Sequence, residues 1–133
     1  MNDAADFFLL KAEESLAGAE SELTNGRYNN CANRCYYACF QAAIAALTQA
    51  AVIPGGTAGE WGHAFVQARF AGDLINRRKL YPAALRETLS RALFLRQIAD
   101  YRSQWVTQTQ AVRLVRSARE FVGTIQRQEG DNQ

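Results

Sequence analysis

The sequence predicts an all-α protein: an antiparallel up-and-down four-helix bundle with one additional short helix. Three observations point there. Only two prolines interrupt the chain. Ala, Leu, Glu, Gln and Arg dominate between them, which is helix-forming chemistry. Apolar residues recur at steps of three and four rather than two. The 133 residues suit one domain around one core, so residues 1–133 are read as a single unit with a polar, frayed tail at 127–133.

The first helix is expected from about Asp3 to Leu23, with Asp3 capping its free N–H groups. Its inner stripe reads Phe8, Ala12, Leu16, Ala19 and Leu23, with Phe7 packed beside it. Asn25-Gly26 supplies the left-handed geometry that ends a helix. The second helix is expected from Tyr28 to Ala51. Its centre, "CANRCYYACFQAAIAAL", is apolar on most sides, so it is central or shared with another subunit. Pro54-Gly55-Gly56 ends it, and the glycines read as a flexible connection because no phosphate-loop pattern surrounds them.

A short third helix fits Glu60 to Gly72. The fourth starts near Pro82, a residue suited to a first turn, and runs to Tyr101. The last follows Thr107, where Thr107 and Gln110 resemble a capping box. Its inner stripe is Val112, Val115, Ala118, Phe121 or Val122, and Ile125. Trp61 and Trp105 flank loops and are read as anchors for them.

Charge is uneven. Residues 1–66 hold three basic and seven acidic side chains, net −4; residues 67–133 hold twelve and six, net +6. The second half can face an acidic partner or RNA, or simply line solvated helix faces. No apolar run is long enough to cross a bilayer, so no membrane partner is expected. The first residues lack the basic and apolar regions of a secretory signal. With three cysteines, a reducing cytoplasmic setting is the expectation. Cys31, Cys35 and Cys39 share a helix face, and small buried thiols that let helices pack closely explain them better than metal ligation. No metal and no cofactor are expected.

One residue breaks the pattern. Along the fourth helix Leu85, Leu89, then Ala92 or Leu93, and then Arg96 follow core spacing. Leu89 and Arg96 lie within about 20° of each other on the helix. A buried, unpaired guanidinium is very costly, so Arg96 must reach an acid, a carbonyl or a wet groove. Asp100 is one turn on. With Asn33 and Arg34 on the central helix and nearby tyrosines, a candidate polar cluster forms at one end of the bundle: Asn33, Arg34, Tyr37, Arg96, Asp100 and Tyr101. A salt-bridge network that merely ties two helices together is the alternative. His63, the only histidine, reads as a helix-start or packing residue or as a further ligand contact.

"RYNNCANRCYYACFQAAIAAL", followed by a loop with "WGHAF" and later by "LRQIADY", resembles the HEPN superfamily (higher eukaryotes and prokaryotes nucleotide-binding). The likeness is to small prokaryotic members with an Asn/Ser-Arg-x-Tyr-Tyr-Ala segment and an Arg-x-x-Ala-Asp-Tyr segment. It spans Phe8 to Ile125. It implies a helical bundle that forms a homodimer. Many such proteins are metal-independent ribonuclease toxins partnered by a minimal nucleotidyltransferase antitoxin. Their Arg-x4-His motif sets one Arg and one His from each subunit in an interfacial cleft.

Arg96 matches the motif arginine, and Tyr101 stands where the histidine would be. A free tyrosine titrates near about 10 and is a poor base at neutral pH, although it can donate a hydrogen bond or stack on a base. Asp100 or His63 is the substitute for proton transfer. The resemblance therefore implies a dimeric module that binds nucleotide, RNA or a protein partner through Asn33, Arg34, Tyr37, His63 and Arg96. An active endoribonuclease using Arg96, Tyr101 and Asp100 is the alternative, and a purely structural dimeric bundle is the third reading.

Overall fold

The computed structural model describes residues 3–54 and 59–131. Four long helices form the antiparallel bundle: α1 (Asp3–Thr24), α2 (Tyr28–Gln49), α4 (Ala84–Tyr101) and α5 (Gln108–Asp131). A short helix, α3 (His63–Arg69), continues directly into a π-helical segment, Phe70–Arg77. No strand occurs among the described residues.

Chain breaks follow local chemistry. After α1, Gly26 takes φ +75°. The Arg27 N–H donates to the Glu22 carbonyl at 2.9 Å and the Gly26 N–H to Leu23 at 3.1 Å. These bonds satisfy carbonyls that the helix end would orphan. α2 ends in the same way at Ala51, φ +64°, with the Val52 N–H on the Leu47 carbonyl at 2.9 Å. The helix therefore stops at Gln49, short of the expected Ala51, and the chain reverses before Pro54. Gly55 and Gly56, expected as a flexible connection, lie outside the described residues. At the start of α5 the capping box forms in both directions. The Gln110 N–H donates to Thr107 Oγ1 at 3.1 Å and the Thr107 N–H to Gln110 Oε1 at 3.0 Å.

α2 is the central helix. It packs against α1, α4, α5 and α3, which explains why its sequence is apolar on most sides. Cys31, Cys35 and Cys39 are free and fully buried along it. Burial pushes the Cys39 thiol up to about 12, so this group is an inert packing element. Among the described residues no group of His, Cys, Asp or Glu is placed to hold a metal.

Several expected positions differ. Phe7 is exposed while Phe8 packs against the core. The rest of the α1 stripe stands as expected, with Ala12 and Ala19 buried and Leu16 and Leu23 packed against the core, and Ala5 joins it, so that α2 approaches closely. Val112 is exposed because Ala111, Leu114 and Val115 take the inner positions, and Phe121 and Val122 are both buried. Trp105 is exposed and anchors nothing, whereas Trp61 packs against Phe65.

The expected third helix starts three residues late and does not stop at Gly72. It runs on to Arg77, because Phe70, Asp73, Leu74 and Ile75 are all buried. Burial alone would raise the Asp73 carboxyl, but hydrogen bonds from Arg77, Arg78 and Arg69 hold it below its usual range. The tail is helical to Asp131, not frayed from residue 127, and Glu129 is buried; residues 132 and 133 lie outside the described chain. No helix among the described residues is long and apolar enough to cross a membrane.

Candidate functional site

The core stripe of α4 runs Leu85, Leu89, Ala92, Leu95 and Ile98. Leu95, not Arg96, holds the inward position at the fourth step. Arg96 stands on the border of the stripe, with its side chain only 14% exposed. Arg96 therefore lies beside the stripe it was expected to extend, one position round from its centre line.

What holds the guanidinium there is a set of aromatic faces and one acid. Its central carbon lies 5.4 Å from the Tyr36 ring centroid and 5.6 Å from those of Tyr37 and Tyr101. Such contacts favour a cation removed from bulk water. Arg96 Nε donates to Asp100 Oδ2 at 3.2 Å, and Nη2 reaches the Tyr101 hydroxyl at 3.4 Å, a long and weak bond. Asp100 in turn accepts from Asn33 Nδ2 at 2.9 Å. Asn33 Oδ1 accepts from Arg34 at 2.7 and 3.0 Å. Arg34 covers the Tyr37 ring at 5.0 Å. All six residues of the expected polar cluster are therefore linked. Two guanidinium charges face one carboxylate, which leaves the cluster net positive.

His63 joins them, although it begins a different helix. Gly62 precedes α3 in an extended conformation, which lets the chain turn His63 back over α2. The imidazole stacks on Phe40 with centroids 4.6 Å apart, and Nδ1 is 2.6 Å from the Tyr36 hydroxyl. His63, Gln67, Leu93, Arg96 and Gln97, with Ala64 and Ala68, line one cavity of about 590 Å³ between α3 and α4. Its lining mixes apolar side chains with a few polar and charged ones, the composition expected of a ligand site. Gln67 lies against Tyr36, where its side chain favours the ionised phenol, and its Nε2 is shielded from solvent.

Sequence reasoning missed Tyr36 as the ring beneath both Arg96 and His63, and missed Gln67 and Gln97. The spacing of His63 and Gln67, one helical turn apart, is the signal that could have joined those two.

Electrostatics follow from this geometry. Burial, and then the Arg96 charge, hold the His63 imidazole below its ordinary range. It is therefore neutral at pH 7. Burial pushes the Tyr36 phenol up to about 12 against the opposing pull of Arg96, so it stays protonated. With the Tyr36 O–H donating to Nδ1, the imidazole carries its proton on Nε2; with the bond reversed, Nε2 is a free base. Arg96→Met should raise the His63 midpoint, because the repelling charge is gone. Proton NMR titration of the single histidine checks this, and an unmoved or lowered midpoint would contradict the placement of Arg96 beside it.

The family model of the HEPN domain matches residues 5–128. The chain belongs to the HEPN family. A comparison with curated proteins gave no match. In this HEPN domain Arg96 and His63 border the same cavity, from α4 and α3, and Tyr101 stands five residues after Arg96, outside the lining.

Proposed function

We propose that this HEPN domain is an RNA- or nucleotide-binding module, in which Arg96 takes a phosphate and Asn33, Arg34, Tyr37 and His63 complete the contact. One observation carries the reading. Arg96 is mostly shielded, is held by three tyrosines and one acid, and opens onto a cavity of about 590 Å³. Arg96 and Arg34 share the single carboxylate of Asp100 and Asn33's carbonyl, so the cluster keeps a net positive charge that suits an anion. A salt bridge serving stability alone would not need the cavity.

The working form is a homodimer across α4. Phe94 and Tyr101 are exposed and seven residues apart, so they form one outward stripe beside Arg96. The natural protein partner is a minimal nucleotidyltransferase antitoxin in a toxin–antitoxin-type pair.

The second reading, a metal-independent endoribonuclease, is favoured by His63. A neutral imidazole next to Arg96 can exchange a proton with a ribose 2′-OH while the arginine stabilises phosphate charge. Tyr101 and Asp100 then position Arg96.

Binding of a fluorescent single-stranded RNA to wild type and Arg96→Met, at fixed low salt and with chelator present, tests both. Arg96→Met is expected to keep its helical circular dichroism and lose at least about tenfold in affinity. Equal affinity would overturn the proposal. Cleavage of the strand by wild type, lost in Arg96→Met and His63→Ala alike, would replace the binding reading with the nuclease one.

A further inference from the structure

Trp105 is 82% exposed, yet it is not on a loose segment. The next residue, Val106, is buried, and its N–H donates to Asn29 Oδ1 at 2.9 Å. Thr107 then caps α5. The indole is thus presented by a clamped backbone. It borders a cleft of about 410 Å³ whose opposite wall is the first turn of α2, with Arg27, Tyr28 and Asn30.

The surroundings indicate what fits. No carboxylate lines the cleft. Arg27 pairs with Glu22 at 2.6 Å, outside it. Arg102, three residues before the indole, makes no ion pair among the described residues. This cleft offers two aromatic rings, two asparagine amides and the Arg27 cation, which suit a planar, polar, anionic-backboned ligand.

The cleft lies close to the Arg96 cluster along the chain. Asn30 is one turn before Asn33 on α2, and Trp105 follows the end of α4 by four residues, after Tyr101, which is itself 74% exposed and touches Arg96.

We propose that the Trp105 cleft is a nucleobase subsite, in which an unpaired base of a single-stranded RNA stacks on the indole and meets Asn30 at its edge. It rests on the reading that the phosphate of the same strand lies at Arg96. Paired bases have no free face, so the cleft selects single strands over duplex.

The test uses the full chain carrying Trp61→Phe, which leaves Trp105 as the only tryptophan. It is titrated with an eight-nucleotide RNA and with an abasic strand of equal length. The base-bearing strand should quench Trp105 emission. Trp105→Ala should weaken that strand by about 5- to 100-fold and leave the abasic strand unchanged, while Trp105→Phe keeps most of the affinity.

Unquenched emission at saturation, or equal affinity of Trp105→Ala and wild type, overturns the subsite even if Arg96→Met still abolishes binding. Quenching with no Arg96 dependence sinks the phosphate reading and leaves the stacking. If Trp105→Ala is misfolded, Trp105→Phe decides through quench-free binding of unchanged strength to the base-bearing strand over the abasic one. If Trp105→Ala instead converts a dimer to a monomer in sedimentation, the cleft is a protein contact and the proposal fails.

Discussion

Replacing Phe70 with alanine is expected to cost about 3–5 kcal/mol of unfolding free energy. Phe70 is fully buried at the first turn of the π-helical segment. Its ring lies 5.3 Å from that of Phe121 on α5 and 5.6 Å from that of Tyr81, which precedes α4. Truncation leaves a cavity between three elements that short-range relaxation cannot fill. Against a total of about 5–15 kcal/mol for a domain of this kind, the loss is large.

The effect reaches the site as well. α3 carries only Val66 as a fully buried anchor of its own. The placement of His63 over Phe40 and beside Arg96 therefore depends on Phe70 downstream. Urea denaturation of Phe70→Ala measures the first effect, and the NMR midpoint of His63 measures the second. A cost below about 1 kcal/mol would show that the π-helical segment is not part of the cooperative core. A normal cost with an unmoved His63 midpoint would show that the histidine is held by Phe40 and Tyr36 alone.

The parts of the fold that were legible in the sequence are those decided within one or two turns. The Thr107–Gln110 box, the stop at Gly26 and the Arg96–Asp100 pair all depend on neighbours at most five residues apart. The link from Asn33 to Asp100 was legible because both sit on long helices whose apolar stripes fix their facing. His63 was not legible as a neighbour of Arg96. Its position depends on how the chain leaves α2 and on a packing anchor seven residues further on. Asp73 was hidden for a related reason. An acid among arginines looks solvated in sequence, yet here three guanidiniums close over a buried carboxylate, and the helix widens to accommodate it. Trp105 was misjudged because indoles usually bury, and this one is turned outward by the Asn29 clamp on the next residue.

Tyr101, five residues after Arg96, turns its ring toward the Arg96 cation. A histidine at that position would place a titrating group beside the arginine. Here the titrating group arrives from α3, while Tyr101 supplies a face for the Arg96 cation and an exposed ring. The Arg96 cation and the His63 imidazole thus stand on two different elements, α4 and α3. The part played by the Tyr101 ring is testable, since Tyr101→Phe retains the ring and removes only the weak 3.4 Å hydroxyl contact.

Glu129→Gln is expected to stabilise the protein at high pH and to do nothing at low pH. The Glu129 side chain is 2% exposed, and neither carboxylate oxygen has a hydrogen-bond partner. Burial first, and then the charge of Asp6, push its carboxyl up to about 7 from an ordinary 4.5. The Tyr81 phenol beside it is raised too, mainly by its own burial and then by Glu129. The folded state therefore holds the proton more tightly than the unfolded chain. Stability is complete below about 4.5 and falls as pH rises through about 7, because the fold must then contain an unpaired charge.

The loss corresponds to about 3 kcal/mol at most, from the gap between the two titration points. Glutamine keeps the shape and removes the charge. At pH 8 it should raise the melting temperature by about 5–10 °C for a chain of this size, and at pH 5 it should leave it unchanged. Melting curves at both values decide. An equal gain at pH 5 and pH 8 would mean that packing, not ionisation, separates the two side chains. A loss at pH 8 would mean that the carboxylate finds a partner in the folded state and that the last turns of α5 are not sealed against α1 as described.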